Sequence, residues 1–123
     1  PKILLTTIPQ EAHGLGLLMV ESLLVQEGCQ CVSLGTQTPI SDIVRAAQAH
    51  KVDVVALSFS NLNTPASVQT SLRTLRSELP VETSVWVGGA CATLYQKSWE
   101  GITALKELSG IHGLVSRWRE TQL

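Results

Sequence analysis

KILLTTIPQEAHGLGLLMVESLLVQEG, Lys2 to Gly28, contains a strand, a loop and a helix in succession, and its reading decides the fold. The run Ile3 to Ile8 is nearly continuous in apolar character rather than alternating, the pattern of a strand covered on both faces. Leu15 to Glu27 has helical length and apolar side chains around most of its circumference, which predicts a largely buried helix. Gly28 stands where a left-handed residue would end it. One βα unit is therefore written into the first quarter of the chain, and its strand belongs to a parallel sheet.

The same alternation continues downstream. Further strands are expected at Gln30 to Leu34, Val52 to Phe59 and Ser84 to Val87, with a weaker fifth at Ile102 to Leu105. Thr38-Pro39 reads as an N-cap followed by proline at the first helical position, with Ile40, Ile43, Val44 and Ala47 forming one apolar stripe. Thr64-Pro65 repeats that start signal, Val68, Leu72, Leu75 and Leu79 share a face, and Pro80 stops the helix. A fourth helix is expected around Thr93 to Trp99 and a last one from Gly110 to Glu120, where Leu114, Val115 and Trp118 recur at helical spacing. Five strands joined by right-handed crossovers predict an α/β, flavodoxin-like (Rossmann-like), doubly wound parallel sheet of order 2-1-3-4-5.

At 123 residues the chain is one domain. Charged residues make up 15% and the formal net charge is −1, so no electrostatic footprint for nucleic acid or an anionic membrane is written in it. No segment reaches the length of a membrane span and no secretory signal is visible, so the domain reads as cytoplasmic. Three cysteines, Cys29, Cys31 and Cys91, are an odd number without framework spacing, which fits a reducing compartment and core packing. Cys29 and Cys31 would put their sulfurs on one strand face, too few to hold a metal. Trp86, Trp99 and Trp118 read as core or interface aromatics. The chain opens at Pro1 and enters a strand at Lys2, which predicts a single domain, residues 1–123, cut from a longer protein.

In a doubly wound sheet, ligands sit beyond the carboxyl ends of the strands where the order reverses. Three segments are expected there: Glu11 to Gly16 after the first strand, Ser58 to Ser60 at the end of the third, and Gly88-Gly89 after the fourth. His13, a neutral imidazole on the first of these loops, is a candidate metal ligand. Taken singly each segment has a plain reading, since lone histidines are usually surface or core residues, glycine pairs turns, and serines strand ends. His50 and His112 have no companion ligands. Other crevice chemistries lack their residues. Gly14-x-Gly16 has no third glycine and the second strand ends in Gly35 rather than an acid, against a dinucleotide; there is no phosphate-cradling Gly-x-x-x-x-Gly-Lys-Ser/Thr run, no aspartate where a phosphoryl acceptor would stand, and no catalytic Ser/His/acid set.

The joint spacing carries more. Glu11-x-His13-x-x-Gly16, then 41 residues to Ser58-x-Ser60, then 27 residues to Gly88-Gly89, is similar to the acid-x-His-x-x-Gly, Ser-x-Leu, Gly-Gly signature of cobalamin (vitamin B12)-binding domains. The resemblance covers about residues 2 to 118. It implies that His13 is the lower axial ligand of cobalt in a bound adenosylcobalamin or methylcobalamin. It also implies that Glu11 orients His13, and that the displaced nucleotide tail runs into a slot beside Gly16, Ser58, Ser60, Gly88 and Gly89. Two positions depart from the pattern, with Glu11 where Asp is usual and Ser60 where Leu is usual, so Ser58 is expected to contribute more than Ser60. The apolar continuation Leu17-Leu18-Met19 and the run Leu34-Gly35-Thr36-Gln37-Thr38-Pro39 look like the cobalamin domains of MerR-family transcription regulators. That branch implies a sensory, non-enzymatic role, with upstream DNA-binding and helical-bundle domains and weak cobalamin retention by this domain alone. It implies no direct nucleic-acid or membrane contact here, and allows a homo-oligomer. A corrinoid-carrying module of a methyltransferase or mutase, and a degenerate domain that binds no corrinoid, are the alternatives.

Overall fold

The computed structural model describes all residues, 1–123, as a five-stranded, wholly parallel sheet of order β2-β1-β3-β4-β5. The strands are β1 (Lys2–Thr6), β2 (Gln30–Gly35), β3 (Val54–Ser58), β4 (Ser84–Gly88) and β5 (Ile102–Leu105). The helices are α1 (Leu15–Gln26), α2 (Ile40–His50), α3 (Pro65–Glu78) and α4 (Ile111–Glu120). The expected class and strand order are both present, and the order reverses between β1 and β3.

Strands β1, β3 and β4 are buried on both faces and divide the core in two. On one side Leu4, Val55 and Leu57 pack with Ile43 of α2 and with Val68, Leu72 and Leu75 of α3, in a cluster of 16 buried residues. On the other, Ile3, Leu5, Val54, Ala56 and Trp86 pack with Leu17 and Leu24 of α1 and with Ile111, Leu114 and Val115 of α4, in a cluster of 11. Cys29 and Cys31 lie on this second side, where burial pushes both thiols up from their ordinary range. Gly28 takes the left-handed conformation, φ 81°, that ends α1.

Several expectations need correcting. Only Leu17 and Leu24 of α1 are buried, while Leu15, Leu18 and Val25 are more than half exposed. An outer-layer helix turns one side to the sheet, so an all-round apolar composition does not make it a buried helix. Thr38 does not cap α2. Pro39 occupies the cap position, and the Thr38 hydroxyl is 2.6 Å from that of Thr6 in a tertiary pair. Thr64 does cap α3, accepting from the Ser67 N–H. The fourth helix is a single 3₁₀ turn, Ala92–Tyr95, because the Trp99 indole donates to the Leu94 carbonyl at 2.9 Å and takes the acceptor that a continuing helix would use. Finally, β1 and β3 stop short of Ile8 and Phe59. Both residues are fully buried, but in the loops that follow.

Candidate functional site

The loop from Thr7 to Gly14 is tied down before it presents anything. The Thr7 hydroxyl donates to the Glu11 carbonyl at 2.7 Å and accepts from the Gln37 N–H at 2.8 Å, joining the β1–α1 loop to the β2–α2 loop. The Glu11 N–H donates to the Ile8 carbonyl at 3.0 Å. Its carboxylate is thereby directed inward, and Glu11 is only 2% exposed.

Four donors meet that carboxylate. The Ser60 N–H and the Asn63 side-chain amide, the latter at 2.6 Å, reach Oε1; the His13 N–H at 3.1 Å and its ring Nδ1 at 2.9 Å reach Oε2. Burial alone would raise the carboxyl's pKa. The backbone hydrogen bonds from Ser60 and His13 outweigh it, with a smaller contribution from the His13 side chain, and lower the pKa from 4.5 to about 2. A carboxylate can only accept, so Nδ1 of His13 carries the proton and Nε2 keeps its lone pair in the neutral ring. The His13 side chain is 63% exposed. A buried, charged carboxylate thus holds an outward-facing imidazole in the tautomer that can ligate a metal.

Beside it, a slot of about 190 Å³ runs between α1 and α4 over β3, β4 and β5. Gly16, Ser58, Gly88 and Gly89 line its mouth, while Leu17, Ala56, Trp86 and Ile111 are among its walls. Ser58 and Gly88 are register partners, so the third and fourth strands open side by side. A Cβ on Gly16 would come within 3.2 Å of the Ser58 hydroxyl, and one on Gly88 within 3.0 Å of the Leu105 carbonyl. Gly89 is required for a different reason than access. Its φ is 114°, and a side chain there would run into the Phe59 backbone.

The structure places the seven residues singled out in the sequence in two groups: Gly16, Ser58, Gly88 and Gly89 line the slot, and His13 and Ser60 meet at the Glu11 carboxylate. Ser60 does not line the slot. Its N–H holds Glu11, and its hydroxyl accepts locally from the Leu62 N–H at 3.3 Å. Asn63 and Thr7 were not anticipated. Asn63 precedes a helix start, where a polar turn residue is unremarkable, and nothing in the spacing pairs it with Glu11, 52 positions away. His112 is exposed and pairs with Glu27 at 2.7 Å, and His50 ends α2 at the surface.

No group of three or more His, Cys, Asp or Glu side chains could hold a metal ion. One imidazole with a free lone pair, next to a narrow apolar slot, instead suits a metal that brings its own ring of ligands and a tail to be stored. The residues present fit a corrinoid on those grounds: His13 would offer the single protein donor, Glu11 holds its tautomer, and the glycine-lined slot is open.

Comparison with known proteins agrees. Residues 1–105 match the B12 binding domain family. The HTH-type transcriptional repressor CarH of Myxococcus xanthus is 36% identical over 92 residues, which is 75% of this chain and 31% of the repressor. Methionine synthase of Mycobacterium leprae is 28% identical over 93 residues, 75% of this chain and 8% of that enzyme. The chain thus spans a third or less of either relative. A cobalamin-binding protein from Desulfitobacterium hafniense shares the fold with a TM-score of 0.75 at 20% identity, over 95% of this chain and 58% of that one. With the family matched over most of its length and the site geometry in agreement, this chain belongs to the B12-binding domain family.

Proposed function

We propose that this chain is the cobalamin-sensing domain of a transcription regulator, with His13 as the lower axial cobalt ligand and the nucleotide tail stored in the slot between α1 and α4. The observation that carries the axial role is the 2.9 Å contact between Glu11 and His13 Nδ1, which leaves Nε2 free on an exposed side chain. Similarity to the CarH repressor supports the regulatory branch. The site also holds no nucleophile, general acid or base arranged around a substrate position, which suits a sensor better than an enzyme. When bound, a corrinoid would supply a reactive cobalt–carbon bond. His13 would hold the corrinoid, Glu11 orients its imidazole, and the residues lining the slot would enclose the tail. DNA-binding and bundle domains would belong to the remainder of the protein, and adenosylcobalamin or methylcobalamin would be the form carried.

Titration with hydroxocobalamin, followed by its visible spectrum, tests the axial role. The wild-type chain should give the spectrum of a histidine-ligated cobalamin and His13→Ala should not; the same shift in His13→Ala would remove His13 from the role. The second reading, a carrier module within a methyltransferase, is supported by similarity to methionine synthase. Binding of the full-length product to its own promoter region, with and without adenosylcobalamin, separates the two.

A further inference from the structure

Trp86 is the most deeply buried side chain of the slot whose polar atom has no partner within the protein. It lies at the centre of β4, flanked in register by Ala56 on β3 and Thr103 on β5, and is 7% exposed. Its indole packs in the same cluster as Leu17, Leu24, Ile111 and Leu114, which wall the slot. The Trp99 indole N–H has the Leu94 carbonyl as its acceptor, but no protein atom accepts from the N–H of Trp86. Nor is that nitrogen sealed off, since no fully buried side-chain nitrogen or oxygen lacks a partner. The accessible space beside Trp86 is the slot. A donor without a protein acceptor, in a side chain more than nine-tenths buried, is available to an acceptor that enters the slot.

The rest of the lining narrows what that something can be. Twelve of the seventeen lining residues are hydrophobic, and the only other polar side chains are Ser58 and Lys106. Lys106 can only donate. The Ser58 hydroxyl oxygen is therefore the single side-chain acceptor. A flat, apolar heteroaromatic ring with an acceptor nitrogen and no amino group satisfies this lining. A ring with an exocyclic amine would bury donors with almost nothing to receive them.

We propose that Trp86 determines which corrinoid tail the slot accepts, its indole N–H donating to the ring nitrogen of a detached benzimidazole base and selecting it over adenine. The inference rests on the proposed storage of the tail in this slot. Substrate choice of this kind arises because a site built around particular hydrogen bonds rejects a ring that leaves them unmade.

Three corrinoids separate the two levels of the claim: cobalamin, pseudocobalamin with an adenine base, and cobinamide, which has no base. The wild-type chain should bind cobalamin about 10-fold or more tightly than pseudocobalamin, the discrimination expected from about one misplaced buried hydrogen bond. Trp86→Phe, which keeps a ring in the core, should shrink that preference to within about 3-fold and leave cobinamide affinity unchanged. A second measurement needs no cobalt. In ¹⁵N-labelled wild-type protein, α-ribazole, the benzimidazole nucleoside alone, should move the indole N–H resonance that Trp86→Phe deletes, and leave those of Trp99 and Trp118 in place. Equal affinity of the wild type for cobalamin and pseudocobalamin, equal losses for cobalamin and cobinamide in Trp86→Phe, or an unmoved Trp86 resonance would overturn the role of Trp86. No spectral change with any of the three corrinoids would overturn the cobalamin reading and this inference together.

Discussion

Asn63 donates its side-chain amide to Oε1 of Glu11 at 2.6 Å, across 52 positions of sequence, while Oε2 of the same carboxylate receives His13. The two oxygens have separate duties, and the inner one anchors the outer. Asn63→Ala should therefore weaken hydroxocobalamin binding by about 10-fold, in the range typical of residues that orient a metal ligand. Asn63→Asp should lower stability more than Asn63→Ala, because it sets a second negative charge against a carboxylate that is 2% exposed. Spectral titration and urea unfolding of the two variants measure these effects.

Glu11 should make the fold acid-sensitive. Its carboxyl has a folded pKa of about 2 against an ordinary 4.5, so the folded state holds the charged form more tightly than the unfolded state does. A depressed carboxyl pKa stabilises above the unfolded value and loses that contribution as pH falls through the folded one. The contribution is on the order of 3 kcal/mol above about pH 5, and should disappear between about pH 4.5 and 2. Urea midpoints across that range, compared with those of Glu11→Gln, should show a steeper loss for the wild type.

Gly89→Ala should destabilise the domain by about 3 kcal/mol or more, since it adds both a strained positive φ and a collision with the Phe59 backbone. Gly16→Ala is a contrasting case. The added methyl meets only the Ser58 hydroxyl at 3.2 Å, so its effect should fall on tail binding more than on the urea midpoint.

His112 and Glu27 form a close pair at 2.7 Å, but the histidine side chain is 76% exposed. Exposed pairs contribute little because water screens them and two side chains must be ordered. His112→Ala should therefore shift stability by less than about 1 kcal/mol in thermal unfolding.

The sheet order and the positions of five strands were legible because buried parallel strands announce themselves as unbroken apolar runs. Strand ends were not, since Ile8 and Phe59 are as apolar and as buried as the strands they follow. Thr38 and the segment after Ala92 depart from expectation because side-chain hydrogen bonds, one between Thr38 and the distant Thr6 and one from the Trp99 indole to the nearby Leu94 carbonyl, claim groups that backbone rules assign to helix starts and helix turns. In the candidate site, spacing put Glu11, His13, Gly16, Ser58, Gly88 and Gly89 at or just beyond the carboxyl ends of β1, β3 and β4, where the fold has them. It could not show Asn63 and Thr7, whose contribution depends on where two loops meet in space, nor that Ser60 would act through its backbone.

The unequal halves of the core leave the domain free to change one without eroding the other. The larger cluster, under α2 and α3, contains no residue from α1 or α4 and gives the slot only Leu57 and Val87, while the smaller one supplies the walls Leu17, Ala56, Trp86, Ile111 and Leu114. A lineage can therefore retune what the slot accepts while the opposite side of the sheet keeps the chain folded, and the same division marks the α1–α4 side as the place to begin redesigning it for another ligand.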